Sequence, residues 1–344
     1  MPQQRANHLK SKSVNKLATL TIRSIPSHDG LLYFCDLTAQ DPDIEHCRAQ
    51  IGKDGTVLWL HLCAINPLTR EWLDKETDLD PLIVDALLAE DTRPRFLKRT
   101  DGALINLRTA DSEEAESGEE MISIRVWIAD HLVISCRRRD SRAIQDMQAA
   151  IVRKEGARDS GQFVSKLTEE IAADIEGVMD VVGDRISMAE VHIAGGNQEA
   201  CHDIPPIRRR VARLAHYILP QASAIQGLLN AKLPWITDDV HSSLVESHDQ
   251  HTRHVEDLSN IRDRSQILNE EIRNIQSTRL NSITYLFSVA ATIFLPLSFL
   301  TGLLGVNVGG MPGLDSSTAF WILVGLCTGI VAFQIALFKK LKWF

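Results

Sequence analysis

One stretch of the chain carries neutral oxygen atoms at helical spacing. Asn281, Thr284, Ser288, Ala291, Leu295 and Ser298 recur at alternating intervals of three and four. At about 100° per residue they fall within roughly a third of a helix circumference. One amide, three hydroxyls and two apolar side chains present lone pairs and no formal charge. Such a surface suits a water-lined path for cations. It equally suits helix packing in a membrane, which favours Ser, Thr and Ala at close contacts. Spacing alone leaves both readings open.

Histidines form a second group. His248, His251 and His254 follow His-x-x-His-x-x-His, His241 lies one heptad earlier, and Glu246 and Asp249 are close. Residues three apart on a helix are within reach of one another, and imidazole is a zinc ligand. Successive three-residue steps drift around the helix, so the three do not converge easily on one ion. A two-ligand site completed by another subunit is one reading; a solvated or subunit-interface face is the other. No P-loop, G-x-G-x-x-G, H-E-x-x-H or serine elbow occurs, so the chain is not expected to be an enzyme or to hydrolyse ATP.

The elements that hold the oxygen stripe are readable from charge. No charged residue occurs between Arg279 and Asp315, and none between Asp315 and Lys339. Residues 283–304 and 319–338 are almost wholly apolar and long enough to cross about 30 Å of hydrocarbon. Arg273 and Arg279 precede the first span and Lys339, Lys340 and Lys342 follow the second, while the connector 305–318 has no Lys or Arg. The positive-inside rule puts both ends of the hairpin in the cytoplasm, with Trp343 and Phe344 at that interface. Between Trp235 and Leu295 there is no Pro and no Gly, which predicts a long stalk helix running into the first span. The first break is Pro296, which removes one backbone donor and can kink the helix, tolerated when neighbouring helices re-satisfy the carbonyl.

Before the hairpin the chain reads as a water-soluble domain. The net charge of −8 and the lack of a basic stripe exclude general nucleic-acid binding. The basic triplets 137–139 and 208–210 read as helix ends or solvated faces. The six cysteines form no C-x-x-C pair, and most sit in apolar runs, so a reduced cytosolic setting without disulfides or a zinc knuckle is expected. The opening residues are polar and do not form a signal sequence. Strand patterns at 31–37, 56–64, 103–108, 121–128 and 131–136, with a hairpin connection at Ala129-Asp130, alternate with helical patterns at 67–76, 81–89, 141–155, 161–193 and 206–230. The expected fold class is an α/β cytoplasmic domain, a mixed sheet flanked by helices, followed by a stalk helix and a two-helix transmembrane hairpin. Its organisation is 1–234 for the α/β domain with a helical second half, 235–282 stalk, 283–304 first span, 305–318 external loop, 319–338 second span and 339–344 basic tail. The run 111–120 carries six acids and no base; it reads as a solvated loop or a patch that concentrates cations.

The connector supplies the last motif. Gly305-Val306-Asn307 ends the first span, followed by Val308-Gly309-Gly310-Met311-Pro312-Gly313. This resembles the Gly-x-Asn signature of the CorA-type metal ion transporter superfamily. Pro296-Leu297-Ser298-Phe299 resembles the family's Pro-Leu-Thr-Phe run, and Asn281 stands where the family places a pore asparagine. Lys339–Trp343 resembles its basic tail, and Trp59-Leu60-His61-Leu62 and Arg93-Pro94-Arg95 resemble its cytoplasmic motifs. Val306 replaces the methionine of the magnesium branch, and Gly309 and Gly313 replace its acids. That form is similar to the bacterial zinc transporter (ZntB) branch. The resemblance implies a homopentameric funnel in the bacterial inner membrane, with a pore lined by the first span. It implies zinc as transported substrate rather than as cofactor. Gly305, Val306 and Asn307 would form the outer mouth. A magnesium or cobalt channel of the same superfamily and a membrane-anchored metal sensor are the competing readings.

Overall fold

The computed structural model describes residues 24, 26, 30–90, 92–110, 121–196, 203–306 and 317–340. The acidic run 111–120, Asn307 with the connector 307–316, and the tail from residue 341 lie outside them. The chain divides into two compact units, Met1–Leu268 and Asn269–Phe344.

The first unit is built on a six-stranded mixed sheet. Strands β1 (Leu31–Asp36), β2 (Leu58–Cys63), β3 (Arg95–Lys98), β4 (Ala103–Ala110), β5 (Met121–Ile128) and β6 (Leu132–Arg137) lie in the order β1-β2-β6-β5-β4-β3. β2 and β6 pair in parallel, and the other neighbours are antiparallel. The central strands are covered on both faces, which is why they read as continuous apolar runs rather than as alternation. On one face Leu58, Leu60 and Leu62 of β2 and Leu132, Ile134 and Cys136 of β6 pack with α2 (Pro67–Glu76) and α3 (Pro81–Leu88) through Trp72, Leu73, Ile83 and Leu87. Both helices start at a proline after a side-chain cap, Asn66 and Asp80 respectively. Those caps satisfy amide donors that the first turn leaves open.

Trp59, His61, Val133 and Ser135 point to the opposite face. There the Trp59 ring meets Phe163 of α5 (Ser160–Ala194) edge-on at 4.9 Å between centroids. Ser135 Oγ accepts from Trp59 Nε1 at 2.8 Å and lies 2.7 Å from His61 Nδ1. His61 is completely buried. Burial, assisted by the Arg137 charge, holds its pKa down at about 3, so the ring is neutral in the folded protein. The remaining helices α4 (Arg142–Val152) and α6 (Ile204–Leu229) lie beyond β6 in sequence. Arg108 on β4 donates to the Thr92 and Met121 carbonyls and sits 4.2 Å over the Tyr217 ring, tying the sheet to α6. Two elements were not expected: α1 (Ile44–Gln50), capped by Asp43, and the edge strand β3.

Helix α7 runs from Asp238 to Leu304, three residues later than the expected stalk start, and the compact units divide inside it. In its first part the buried residues are Val240, Leu244, Ser247, His251, His254, Leu258, Ile261, Ser265 and Leu268. Their steps alternate four and three, the repeat of a coiled-coil seam. The partner is α5, which runs in the same direction. Near its start, Gly161 lies so close to the Trp235 carbonyl that a Cβ would stand 2.4 Å from the oxygen. Further along, Arg264 forks onto Glu190 at 2.9 and 2.7 Å and reaches Ser187 at 3.0 Å. That pair is half-exposed, so it fixes register and adds at most about 1 kcal/mol. The seam explains why residues 238–268 group with the α/β unit instead of standing apart as a separate stalk.

The buried histidines set an acid limit on this unit. His61 and His251 titrate at about 3 and about 4 when folded and near 6.5 when exposed. The unfolded chain therefore binds protons that the folded chain refuses, and stability falls as pH drops below about 6.5. Thermal melting of the full chain in detergent is expected to show this decline. His61→Gln should reduce its slope by up to about one proton between those limits; an unchanged slope would mean that His61 is protonated in the folded state.

Candidate functional site

The second unit holds the rest of α7 and α8 (Ala319–Lys340). Each carries an apolar window of membrane-spanning length, and only 6% of either window is buried within the chain. A core helix of a water-soluble domain would be mostly covered, so these helices need another apolar solvent.

The hairpin packs along one face of each helix. On α7 the covered positions are Val289, Ala290, Ile293, Leu297 and Leu300; on α8 they are Ala319, Leu323, Cys327, Ile330, Val331, Gln334 and Phe338. Apart from the adjacent pairs 289/290 and 330/331, both sets step by three and four, as one face of a helix must. The predicted stripe Asn281, Thr284, Ser288, Ala291, Leu295 and Ser298 is exposed throughout. At about 100° per residue its centre lies on the order of 180° from the centre of the α8-packing face. The packing reading of the stripe within one chain is therefore excluded: these side chains point away from α8.

Several hydroxyls on this helix are already oriented. Ser288 donates to the Thr284 carbonyl at 2.9 Å, Thr292 to the Ser288 carbonyl at 2.8 Å and Thr301 to the Leu297 carbonyl at 2.9 Å. Each hydroxyl has one hydrogen to give, and the helix takes it. What Ser288 shows its surroundings is therefore lone pairs, which attract water hydrogens and cations. No His, Cys, Asp or Glu belongs to the stripe. An ion passing it would meet neutral oxygen and keep much of its water.

Pro296 lies inside α7, and the carbonyl one turn back belongs to Thr292. Gln334 of α8 reaches across the hairpin and donates its Nε2 to that carbonyl at 2.9 Å. The expected satisfaction by a neighbouring helix is present, and its donor was not foreseen. The single amide of a mostly apolar span was the available signal.

At the C-terminal end of α7, Gly305 N donates to the Thr301 carbonyl at 2.9 Å and to the Gly302 carbonyl at 3.2 Å. Val306 is exposed. Asn307, the remaining residue of the Gly-x-Asn motif, lies outside the described residues.

Of the three candidate histidines the structure brings two together. His251 and His254 are buried in the α5–α7 seam with ring centroids 5.9 Å apart. His251 Nδ1 lies 2.8 Å from the Ser247 carbonyl, so Nδ1 carries the proton and Nε2 the lone pair. Burial lowers the pKa of both. His248 instead faces Asp249 at 3.6 Å. Among the described residues no group of three or more His, Cys, Asp or Glu gathers to hold a metal. The burial follows from the seam: positions 251 and 254 fall on its 3–4 repeat and 248 does not.

Gly305 and Gly302 give contrasting expectations. A Cβ on Gly305 would lie 2.9 Å from the Thr301 oxygen, whereas one on Gly302 would meet nothing within 4 Å. Gly305→Ala should destabilise the helix end by about 1 kcal/mol, and Gly302→Ala should be neutral or stabilising because alanine is the better helix former. Melting of the two variants in detergent reads the difference; equal effects would contradict the close approach at Gly305.

Comparison with known proteins agrees with this architecture. Residues 54–340 match the family described as CorA-like Mg2+ transporter protein. The zinc transport protein ZntB of Pectobacterium carotovorum subsp. carotovorum is 32% identical over 288 residues, covering 83% of this chain and 87% of that protein. The divalent cation transporter CmaX of Pseudomonas aeruginosa is 32% identical over 289 residues with the same coverage. The structure of full-length CmaX superposes with a TM-score of 0.77 at 30% identity, over 92% of this chain and all of that one. The CorA magnesium transporter of Methanocaldococcus jannaschii shares the fold, with a TM-score of 0.70 at 16% identity over 83% of this chain and 90% of that one. The chain belongs to the CorA-like Mg2+ transporter family, a family of ion transporters rather than enzymes.

Proposed function

We propose that this chain carries divalent cations, zinc foremost, across the bacterial inner membrane through the centre of a homopentamer. Both ends of each chain lie in the cytoplasm, and the α/β units form the cytoplasmic funnel. One observation carries the reading: the oxygen-bearing face of α7 is turned away from α8. A two-helix hairpin cannot enclose a conduit alone. Copies arranged about an axis, with α7 inside and α8 outside, put Asn281, Thr284, Ser288, Leu295 and Ser298 around one. Gly305, Val306 and Asn307 form the outer mouth, where the Asn307 carbonyl oxygens hold hydration water of the arriving ion.

Zinc as substrate is supported by the names of the relatives and by Val306, Gly309 and Gly313 in the connector. The neutral-oxygen stripe supports a second reading, a magnesium or cobalt channel, because hard hydrated ions suit it equally. Without a nucleotide-binding loop the driving force is the membrane potential or an ion gradient. About 100 mV, negative inside, favours entry of a divalent ion by about 4.6 kcal/mol.

Flux into liposomes loaded with a metal-sensitive dye tests the proposal, with zinc and magnesium compared at fixed potential. The wild-type chain should admit zinc, and Asn307→Ala should abolish uptake while leaving assembly intact. Metal binding without flux would favour a membrane-anchored sensor. Faster magnesium than zinc entry would favour the magnesium channel.

A further inference from the structure

Thr292 and Gln334 meet across the hairpin at the one turn of α7 that cannot complete its own ladder. In an unbroken helix the Thr292 carbonyl accepts from the amide of residue 296. Residue 296 is proline and has no N–H. Neighbouring hydroxyls do not replace it: Ser288 and Thr292 donate one turn back, to Thr284 and Ser288. The donor that arrives is Gln334 Nε2, 42 residues away in sequence and 2.9 Å away in space. The orientation of this amide is dictated, since the flipped form would set two oxygens against each other. Gln334 Oε1 is buried and has no hydrogen-bond partner among the described residues. The side chain is thus held by its donor end.

We propose that Gln334 is a positioning residue for the pore-lining helix: its side-chain amide stands in for the backbone N–H that Pro296 lacks and clamps the weak turn of α7 to α8. The consequence for transport rests on the function proposed above. The turn separates Asn281–Ala291 from Leu295 and Ser298 along the stripe. Proline-containing turns bend when their open carbonyl is not held. With the clamp closed, both halves of the stripe keep one line along the ion path. With it removed, the upper half swings and the path is misaligned.

The clamp predicts a specific pattern of rescue. Gln334→Leu keeps the bulk and removes the donor. Pro296→Ala restores a backbone N–H at residue 296, so the Thr292 carbonyl no longer needs Gln334. Wild type, Q334L, P296A and P296A/Q334L are reconstituted as full chains for zinc flux and melted in detergent. Q334L is expected to lower flux between about threefold and about twentyfold, the range of interhelical hydrogen bonds in membranes, and to lower the melting temperature. In the P296A background the same substitution should change flux by less than about twofold and leave melting unmoved. If Q334L fails to assemble, assembly regained in P296A/Q334L supports the clamp and failure in both overturns it. Wild-type behaviour of Q334L, or an equal loss in both backgrounds, would assign the side chain to packing alone. A wild-type chain that moves no divalent cation, yet shows the rescue in melting, would sink the transport reading and leave the clamp standing. Flux without rescue would do the reverse.

Discussion

A polar atom inside the hydrocarbon of a bilayer has no water to turn to. Every donor and acceptor must find a protein partner or face a wet cavity. That constraint separates the satisfied polar atoms of the hairpin from the open ones. The Thr292 carbonyl, opened by Pro296, is closed by Gln334. The hydroxyl hydrogens of Ser288 and Thr292 are closed on the helix itself. Apart from the buried Gln334 Oε1, which has no partner among the described residues, what stands open is the exposed oxygen-bearing face of α7. In lipid that face would be costly, and around a water-filled axis it is solvated. Under the proposed function, the same rule that stabilises the hairpin turns this side of it toward the ion.

The seam between α5 and α7 uses polarity differently. Ser247, His251, His254 and Ser265 interrupt an otherwise apolar 3–4 repeat. Polar groups at such positions give up stability and narrow the registers the helices can adopt. The buried imidazoles stay neutral, so the seam is soundest above the ordinary histidine pKa and weakens as protons are forced in. His61 imposes the same dependence from within the sheet, where Trp59 and Ser135 enclose it.

Much of this was legible in the residues. Two charge-free windows with basic residues at their outer flanks give the hairpin, and a proline that ends a long run free of Pro and Gly gives the open carbonyl. Long apolar runs gave β2, β4, β5 and β6, because burial on both faces leaves no alternation to read. β3 was missed for the opposite reason: four residues at an edge, Arg95–Lys98, carry little pattern, and their pairing is set by β4. α1 is seven residues long and too short to display a period. The histidine triplet was visible, but which two rings turn inward depends on the phase of the seam, which only the partner helix fixes. Gln334 stood out as the one amide of its span, but its pairing with Thr292 could not be read because the acceptor lies in another helix and no local spacing links residues 292 and 334.

The central claim is that the face of α7 bearing Ser288 borders the ion path. Cysteine placed at Ser288 and, separately, at Leu286 tests it most directly. Leu286 is exposed and two residues earlier, about 160° round the helix. Each variant is reconstituted, and zinc flux is measured before and after a charged thiol reagent, with the parental chain as the background for its native cysteines. Modification at 288 should block flux, and modification at 286 should leave it at the parental level. Block at 286 with none at 288 would place the other side of the helix toward the ion and contradict the account.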